Sequence, residues 1–460
     1  MRWSSLGHAC WLVEAAGLRL LCDPLLEAEH QGGVFESAPR RRLKAEALRP
    51  DFILISHAHP DHFDVPSLAR LAELDRDSVV VSPDPLVVEA ALALGFSTVH
   101  RLAAGQRVAL DGLTLVTTAS VAEDEWGLMI ADGEGTAWNQ VDTVFRSPAH
   151  ARTVIDEALA ALDRPRIDLA LVQGRPMHEI SAQLGRAVDF PFADYGRLLA
   201  ELAAIDAAVL VPSAADTAHT RAFAWLNSFV YPVDETRLRR DLARICPQAR
   251  VLAAGLGDRL CLRDGAVEHQ AGAALELIET DHAPVDRGYR PFAVATLVDH
   301  DDRQAFAEPS PTLEQCRHEV RRWLETVLAP ALRAAYPGFG VTRPLRFVVE
   351  AVFPGAGDAC TLEVEADGVR IRDGADPDWD LYNLAIGTML WAVLDGRRSW
   401  SDLLLAGGLR ASSRAYEVGE GGLARARVGL TFLYYGLSHR ESVRRSVERA
   451  VARELARRSD

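Results

Sequence analysis

Cysteine pairs, long apolar runs and a surplus of basic residues are all missing from this sequence, and each absence excludes a class of protein. The six cysteines are scattered over 460 residues and form no Cys-x-x-Cys pair. This distribution predicts reduced thiols in a reducing compartment rather than a disulfide framework. No apolar run approaches the roughly 20 residues of a membrane span, and Glu14 and Arg19 interrupt the segment where a secretion signal would be continuous. We therefore expect a cytoplasmic protein that has no membrane partner.

The charge balance argues against a nucleic acid as the main partner. Asp and Glu outnumber Lys and Arg by 65 to 50, which gives a net charge of −15 and offers phosphates no basic face. Apolar residues make up 48% and charged residues 25%, as in globular proteins. A chain of 460 residues exceeds one ordinary core, so we expect two domains.

Short strand patterns alternate with helix patterns in the N-terminal half. Residues 9–24, 107–119 and 127–142 have the pattern of hairpins. Residues 65–74 have helical spacing, as does the segment that ends at Gly95. This mixture predicts an α/β fold with two sheets covered by helices on their outer faces.

A Pro-, Asp- and Gly-rich stretch, residues 276–310, predicts a linker between a domain at 1–275 and a second domain at 311–460. The second domain is expected to be a smaller α+β unit. Its predicted elements are a first helix capped by Ser310 or Thr312, two alternating strand segments, an apolar helix over residues 382–396 and a basic helix from about Ser438.

The segment ILISHAHPDHFD, residues 53–64, concentrates metal-binding side chains directly after an apolar strand pattern. Alternation at a strand end directs His57 and His59 the same way. Asp61 and His62 follow in the next turn, so one loop supplies four ligands. Imidazoles with a carboxylate suit zinc, iron or manganese, and a neighbouring aspartate can serve a second metal. The alternative interpretation is a helix N-terminus capped by Asp61, with the histidines on a solvated loop. It does not explain why three histidines occur within six residues.

The HxHxDH pattern after a hydrophobic strand resembles the metallo-β-lactamase fold superfamily, an αββα sandwich with metals at its strand ends. Residues 6–24 are similar to the opening hairpin of the branch that contains lactonase-like, phospholipase D-like and CMP-N-acetylneuraminate hydroxylase-like proteins. The segment NQVDT, residues 139–143, lies where the superfamily places its bridging aspartate, which implies this role for Asp142. Residues 256–262 resemble the closing strands, so the resemblance covers residues 1–275.

Two histidines that the superfamily usually has are absent. No histidine lies between His100 and His150, and VAEDEW stands where the third is expected. The resemblance implies Glu123, or alternatively Asp124, as the ligand there. A solvated acidic turn is the competing interpretation of Glu123.

The last histidine of the superfamily is also missing from its usual place. In VLVPSAADTAH, Ala214 occupies that place. The resemblance then implies His219, or alternatively Asp216, as the ligand. A histidine at a helix start is the competing interpretation of His219.

Exchanging histidine for carboxylate favours a different metal, because hard oxygen ligands suit iron that activates dioxygen. A site of His57, His59, Asp61, His62, Glu123, Asp142 and His219 resembles the two-iron sites of superfamily oxygenases, chloramphenicol β-hydroxylase among them. It implies two iron ions, a small or carrier-bound substrate and, since the sequence has no Cys-x-His…Cys-x-x-His pattern, an external electron donor.

Two other functions stay open. The first is a hydrolase with two zinc ions and a metal-bound hydroxide. The second is a non-catalytic binding protein with a degenerate site, against which the intact HAHPDH argues.

Two more histidines and one C-terminal segment are functional candidates. His8 lies near the metals in similar proteins, where it contacts a ligand or substrate, unless it is a packed core histidine. His178 follows a strand end and either faces the pocket or lies on a surface loop. Residues 390–418 weakly resemble sterol-carrier-like domains, which implies a module for substrate binding or homodimer formation. A packing domain without a ligand is the competing interpretation.

Overall fold

Short strands and helices alternate through the first 280 residues. The computed structural model describes residues 1–174, 176–178, 180–280, 287–290, 297, 300–306, 308–430 and 437–458. The strands of the N-terminal part are β1 (Arg2–Ser5), β2 (Trp11–Ala15), β3 (Leu18–Cys22), β4 (Glu29–His30), β5 (Phe35–Ser37), β6 (Arg41–Leu43), β7 (Phe52–Leu54), β8 (Val79–Ser82), β9 (Val99–Arg101), β10 (Arg107–Leu110), β11 (Leu113–Ala119), β12 (Trp126–Asp132), β13 (Gly135–Asn139), β14 (Ile167–Gln173), β15 (Ala207–Ser213), β16 (Thr217–His219), β17 (Arg250–Val251), β18 (Arg259–Arg263), β19 (Ala266–Gln270) and β20 (Ile278–Thr280). Its helices are α1 (Ala45–Leu48), α2 (Val65–Leu74), α3 (Pro85–Leu94), α4 (Pro148–Leu162), α5 (Phe192–Ile205), α6 (Asn227–Val230) and α7 (Glu235–Ile245).

Two sheets face each other in this part of the molecule. One has the order β19-β18-β1-β2-β3-β7-β8-β9 and the other β10-β11-β12-β13-β14-β15-β17. Apolar side chains of both sheets, such as Trp3 and Leu128, form the core between them. Helices α2 and α3 pack on the outer face of the first sheet, and α4, α5 and α7 pack on that of the second. The predicted αββα sandwich is confirmed.

Local sequence signals explain several of these elements. The three predicted hairpins are present as the antiparallel pairs β2–β3, β10–β11 and β12–β13. Helix α2 begins where the Asp64 side chain accepts a hydrogen bond from the Ser67 N–H. Helix α3 ends at Gly95, whose φ of 96° is the left-handed conformation that glycine favours at a helix end.

Strand direction brings distant loops together at one edge of the sandwich. Strands β1, β3 and β7 run parallel, because β2 is antiparallel to both β1 and β3. Strands β11, β13 and β15 are parallel in the other sheet for the same reason. Their carboxyl ends meet where Trp11 Nε1 donates to Ser213 Oγ at 3.0 Å. The loops that follow these six strands therefore share one edge.

The C-terminal part is a smaller α+β unit, as predicted. Its strands are β21 (Leu345–Phe353), β22 (Ala356–Val364), β23 (Val369–Asp373), β24 (Leu381–Ile386), β25 (Leu409–Ser413), β26 (Tyr416–Gly419) and β27 (Gly422–Arg425), and its helices are α8 (Leu313–Trp323), α9 (Ala329–Ala335), α10 (Gly387–Leu394), α11 (Trp400–Leu405) and α12 (Leu437–Arg457). Thr312, one of the two predicted caps, accepts from the Gln315 N–H and begins α8. The prediction of one apolar helix over 382–396 is wrong for its first five residues, which belong to β24 in the sheet β23-β22-β21-β24-β25. It is correct for the residues of α10.

Helix α12 returns to the N-terminal part and packs on α2 and α3. Val451 of α12 is buried in the core that these helices share with the first sheet. Every described helix is too short or too polar to cross a bilayer. The predicted linker at 276–310 stays a prediction, and its residues 281–286, 291–296, 298–299 and 307 lie outside the described residues.

Candidate metal centre

The shared edge of the two sheets gathers most of the predicted ligands. His8 follows β1, the segment from His57 to His62 follows β7, and Asp142 follows β13. Two residues at this edge have positive φ angles of 53°: His8 itself and Val141, which directly precedes Asp142. A positive φ is strained for a β-branched residue, so the fold holds Asp142 in place at an energetic cost.

Asp23, which the sequence analysis did not single out, orients two of the histidines. Its Oδ2 lies 3.0 Å from His62 Nδ1 and accepts from Ser56 Oγ at 2.9 Å, while its Oδ1 accepts from the Ser56 N–H at 2.8 Å. Ser56 Oγ lies 2.9 Å from His57 Nδ1. Because the buried Asp23 carboxyl group is hydrogen-bonded to His62 Nδ1 directly and to His57 Nδ1 through the Ser56 hydroxyl, it favours N–H at both Nδ1 atoms and leaves both Nε2 atoms for a metal.

The Nε2 atoms of His57 and His62 converge on Asp142. The Asp142 Oδ2 atom lies 3.3 Å from His62 Nε2 and 3.9 Å from His57 Nε2. Two donors on one ion lie about 3.0–3.4 Å apart when their bonds to it are about 2.1 Å. Both Nε2 atoms are buried and have no hydrogen-bond partner among the described residues. The donor set and the orphaned nitrogens fit a metal ion.

A second trio of donors adjoins the first. Asp61 Oδ2 lies 3.2 Å from His8 Nε2 and 3.6 Å from His62 Nε2. His62 thus belongs to both trios. His59 is exposed, and its ring centroid is 4.3 Å from that of His57, at the solvent side of the cluster. The structure therefore brings together the four residues of the HAHPDH loop, Asp142 and His8.

Charge within the cluster shifts the pKa values of its members in the metal-free protein. Burial, reinforced by His62 and His59, holds the pKa of His57 well below its ordinary value. Burial also opposes the charged form of His62, but the Asp142 and Asp61 carboxylates raise the pKa of His62 well above its ordinary value. His62 in turn lowers the pKa of Asp142 to about 2, against the opposing effect of burial. The carboxylates therefore stay ionised, as ligands must be.

The structure does not place Glu123 at the cluster, which corrects the expectation for this residue. The Glu123 side chain is 78% exposed, and its Oε2 accepts from Arg440 at 2.7 Å. Asp124, the alternative, pairs with Arg101 at 2.9 Å and is also exposed. Both carboxylates are held by arginines at the surface.

Glu125 is the acidic residue of this loop that turns inward. It is 6% exposed, and its Oε1 accepts from Ser120 Oγ at 2.6 Å. Burial raises the pKa of Glu125 to about 7, the Asp142 carboxylate also raises it, and His62 lowers it. These interactions place Glu125 beside the cluster. The sequence offers three consecutive acidic residues, and only the start of β12 at Trp126 decides which of them faces inward.

His219 and its alternative Asp216 also lie away from the cluster. His219 is buried, its Nε2 donates to the Leu405 carbonyl oxygen at 3.0 Å, and burial lowers its pKa to about 4. Its ring packs on Phe35 at a centroid distance of 4.4 Å. Asp216 is half-buried and interacts electrostatically with Arg41. His219 is therefore a packing residue rather than a ligand.

His178 lies on a surface loop, the competing interpretation from the sequence. Its Nε2 donates to the Asp189 carbonyl oxygen at 2.9 Å, and its N–H donates to the Val230 carbonyl oxygen at 3.0 Å. These contacts stabilise the loop after β14. No described contact joins His178 to the histidine cluster.

His30 is a further residue that the sequence did not indicate. It is 5% exposed, and neither ring nitrogen has a hydrogen-bond partner among the described residues. Burial lowers its pKa to about 3, and Asp61, His8 and His62 interact with it electrostatically. His30 therefore lies beside the second trio as a neutral ring. A lone histidine in EAEHQGG carries no sequence signal for this placement.

Comparisons with known proteins find similarity over parts of this chain. Residues 2–182 match the family model described as "Beta-lactamase superfamily domain". A Mycobacterium tuberculosis protein named as a Rieske 2Fe-2S iron–sulfur protein is 32% identical over 157 residues, 31% of this chain and 30% of that protein. A UPF0173 metal-dependent hydrolase of Carboxydothermus hydrogenoformans is 37% identical over 62 residues, 14% of this chain and 24% of the hydrolase. An isothiocyanate hydrolase structure from Delia radicum gut bacteria shares 17% identity at a TM-score of 0.41, over 57% of this chain and 100% of that one.

Proposed function

We propose that the N-terminal domain, which has the metallo-β-lactamase fold, binds two metal ions and that the chain is a metal-dependent enzyme. One observation carries this proposal. The Nε2 atoms of His57 and His62 are buried without hydrogen-bond partners among the described residues, and both lie within 4 Å of Asp142 Oδ2. Burying such nitrogens costs free energy unless something binds them.

The residues divide into two sets around Asp142. His57 and His59, with Glu125 nearby, form the first set, and Asp61 and His62 form the second. In this assignment Asp142 bridges, since its Oδ2 is within 4 Å of an Nε2 atom from each set.

The finer proposal is a binuclear iron oxygenase that acts on a small or carrier-bound substrate. Three carboxylates, Asp61, Asp142 and Glu125, lie at the cluster, and hard anionic donors stabilise the higher oxidation states of iron. Iron bound there would supply electrons to dioxygen, and an external donor would restore them. The Rieske iron–sulfur name of the Mycobacterium tuberculosis relative supports redox chemistry alongside a related segment.

The protein's own side chains would serve this chemistry by fixing the donors. Asp23 and Ser56 hold an N–H at Nδ1 of His57 and of His62, so each ring presents its Nε2 atom to an ion. When an ion binds, His62 would release the Nε2 proton that its raised pKa favours in the metal-free protein. The Ser120 hydroxyl donates to Glu125 Oε1 and would hold this side chain beside the cluster.

Hydrolysis is the second candidate function. The relative named as a metal-dependent hydrolase supports it. Two zinc ions on the same residues would supply a hydroxide at neutral pH. The carboxylate-rich donor set disfavours this alternative, since added negative charge weakens the acidification of bound water.

Metal identity and oxygen uptake separate the two functions. Protein expressed with iron and zinc both available should retain iron, and its ferrous form should consume dioxygen when a reductant and substrate candidates are added. Retention of zinc alone would favour the hydrolase.

A pair of variants tests the role of Glu125. Glu125→Ala should lower the iron content and oxygen uptake, because it removes the third carboxylate. Glu123→Ala, two residues away in the same loop, should leave both unchanged, because its carboxylate is at the surface. Equal effects of the two substitutions would contradict the assignment.

A further inference from the structure

We infer that His8 is a ligand of the second metal ion. It would replace a ligand from the loop after β15, which brings no donor atom to this ion. This inference rests on the proposed binuclear centre. His8 is buried at the turn after β1, with Nε2 3.2 Å from Asp61 Oδ2. Its ring centroid is 5.2 Å from that of His62.

The loop after β15 brings no donor to this side of the cluster. Ala214 follows β15 directly, and it packs in a small apolar cluster with Ala9 and Val141. These two residues are the chain neighbours of His8 and Asp142. Ala214, which offers no donor atom, therefore lies close to both His8 and the bridging Asp142 in the fold.

His219 cannot supply the missing nitrogen from the same loop. Its Nε2 is held by the Leu405 carbonyl oxygen at 3.0 Å, and its ring is packed against Phe35. His8 is the histidine, besides His62, whose ring nitrogen lies within 4 Å of Asp61 Oδ2 in the described structure.

The distances suit a shared ion. His8 Nε2, Asp61 Oδ2 and His62 Nε2 all lie within 4.8 Å of one another. The separations from Asp61 Oδ2, 3.2 Å to His8 and 3.6 Å to His62, resemble the spacing of about 3.0–3.4 Å between donors on one ion. An ion at the centre of this trio would contact all three.

The two metal positions differ in how their histidines are supported. Asp23 supports His57 through Ser56 at the first position and His62 directly at the second, whereas His8 Nδ1, also at the second position, is buried without a hydrogen-bond partner among the described residues. A ligand whose second nitrogen is unsupported binds a metal less strongly. The second ion should therefore bind more weakly than the first, in a separate step.

The competing role for His8 is that of a hydrogen-bond donor that only positions Asp61. His8→Gln distinguishes the roles, because a glutamine amide can donate to Asp61 but is a poor metal ligand. His8→Ala removes both properties. His219→Gln is the matched control, a buried histidine whose amide replacement can still donate to Leu405.

Titration of the metal-free protein with Co²⁺, followed by calorimetry and by cobalt absorption, tests the assignment. The wild type and His219→Gln should bind two ions in two steps. Both His8 variants should bind the first ion normally and the second with an affinity about 10- to 100-fold lower. Thermal unfolding and circular dichroism would verify that each variant is folded.

Two results would overturn the inference. Wild-type binding of the second ion by His8→Gln, with loss in His8→Ala, would make His8 a positioning residue. If both variants bind the second ion as tightly as the wild type does, His8 is not part of the metal site. A wild-type protein that binds no cobalt would instead contradict the proposed binuclear centre, so the two failures are distinguishable.

Discussion

At the scale of single residues, the cluster depends on groups that hold its ligands rather than on the ligands alone. Asp23 contacts His62 directly and His57 through Ser56. It is 1% exposed, and its carboxyl oxygens make three hydrogen bonds to these partners. The motif His-x-His-x-Asp-His could be recognised from the sequence, but this support comes from a strand end more than 30 residues earlier.

Asp23→Asn should lower metal affinity about 10- to 100-fold, because the amide can no longer fix both histidines with N–H at Nδ1. Asp64→Asn is the matched control, since Asp64 is a neighbouring carboxylate that only caps α2 and asparagine caps helices equally well. Calorimetric titration with Zn²⁺ measures both variants. Equal affinities for Asp23→Asn and the wild type would exclude the orienting role.

His219 makes stability depend on pH. Burial lowers its folded-state pKa to about 4, whereas the unfolded chain binds this proton below about pH 6.5. Between these values the unfolded state holds more protons, so stability falls as the pH falls from about 6.5 to 4, by about 3 kcal/mol in total. Urea unfolding at pH 7.5 and pH 5 should show a smaller pH-dependent loss in His219→Gln than in the wild type. Identical losses would place the acid sensitivity elsewhere.

At the scale of elements, the local sequence predicts the hairpins and the helix caps. It does not predict whether a segment with equal helix and strand propensity becomes a helix or a strand. The Ala16–Gly17 and Asp111–Gly112 turns predicted their hairpins because turn residues and flanking alternation agree. The apolar run 382–396 predicts one helix because its first residues, Tyr-Asn-Leu-Ala-Ile, show no regular alternation of apolar and polar side chains. Only pairing with β21 and β25 makes its first residues a strand.

A buried ion pair joins elements of the two parts. Arg398, 2% exposed, donates to both carboxylate oxygens of Asp302 at 2.6 Å and to the carbonyl oxygens of Gln31 and Gly32. The guanidinium therefore links the segment before α11 to the turn after β4.

Arg398→Met should destabilise the protein by about 3–5 kcal/mol, because it leaves the Asp302 charge buried and unpaired. The double variant Arg398→Met with Asp302→Asn should recover part of that loss. Arg440→Met, which removes an exposed ion pair with Glu123, should have no measurable effect. Denaturant unfolding compares the three, and a negligible effect of Arg398→Met would show that Asp302 is hydrated.

At the scale of the whole molecule, the C-terminal part is packed on the metal-binding part. Val451, with Val447 and Ala450 around it, contributes to the core beneath α2, the helix that follows the HAHPDH loop. The sequence indicated a basic helix here but not its partner, because a contact between residues hundreds of positions apart leaves no local pattern. The same limit applies to Glu125, whose inward orientation depends on β12.

This packing predicts that the two parts unfold together. Val451→Asp should lower the temperature of a single unfolding transition, because it buries a charge in the shared core. Ala452→Asp, on the exposed side of α12, should leave that temperature nearly unchanged. Differential scanning calorimetry would contradict the prediction if it showed two transitions and Val451→Asp shifted only one of them.

The central claim is that His57, His59, Asp61, His62 and Asp142 hold two metal ions. Elemental analysis by mass spectrometry, on protein expressed with iron, manganese and zinc available, tests it most directly when the wild type is compared with Asp142→Ala. We expect about two ions per wild-type chain and at most one per chain of the variant, because both metal positions share the Asp142 carboxylate. A wild-type chain without metal, or an Asp142→Ala chain that keeps both ions, would contradict it.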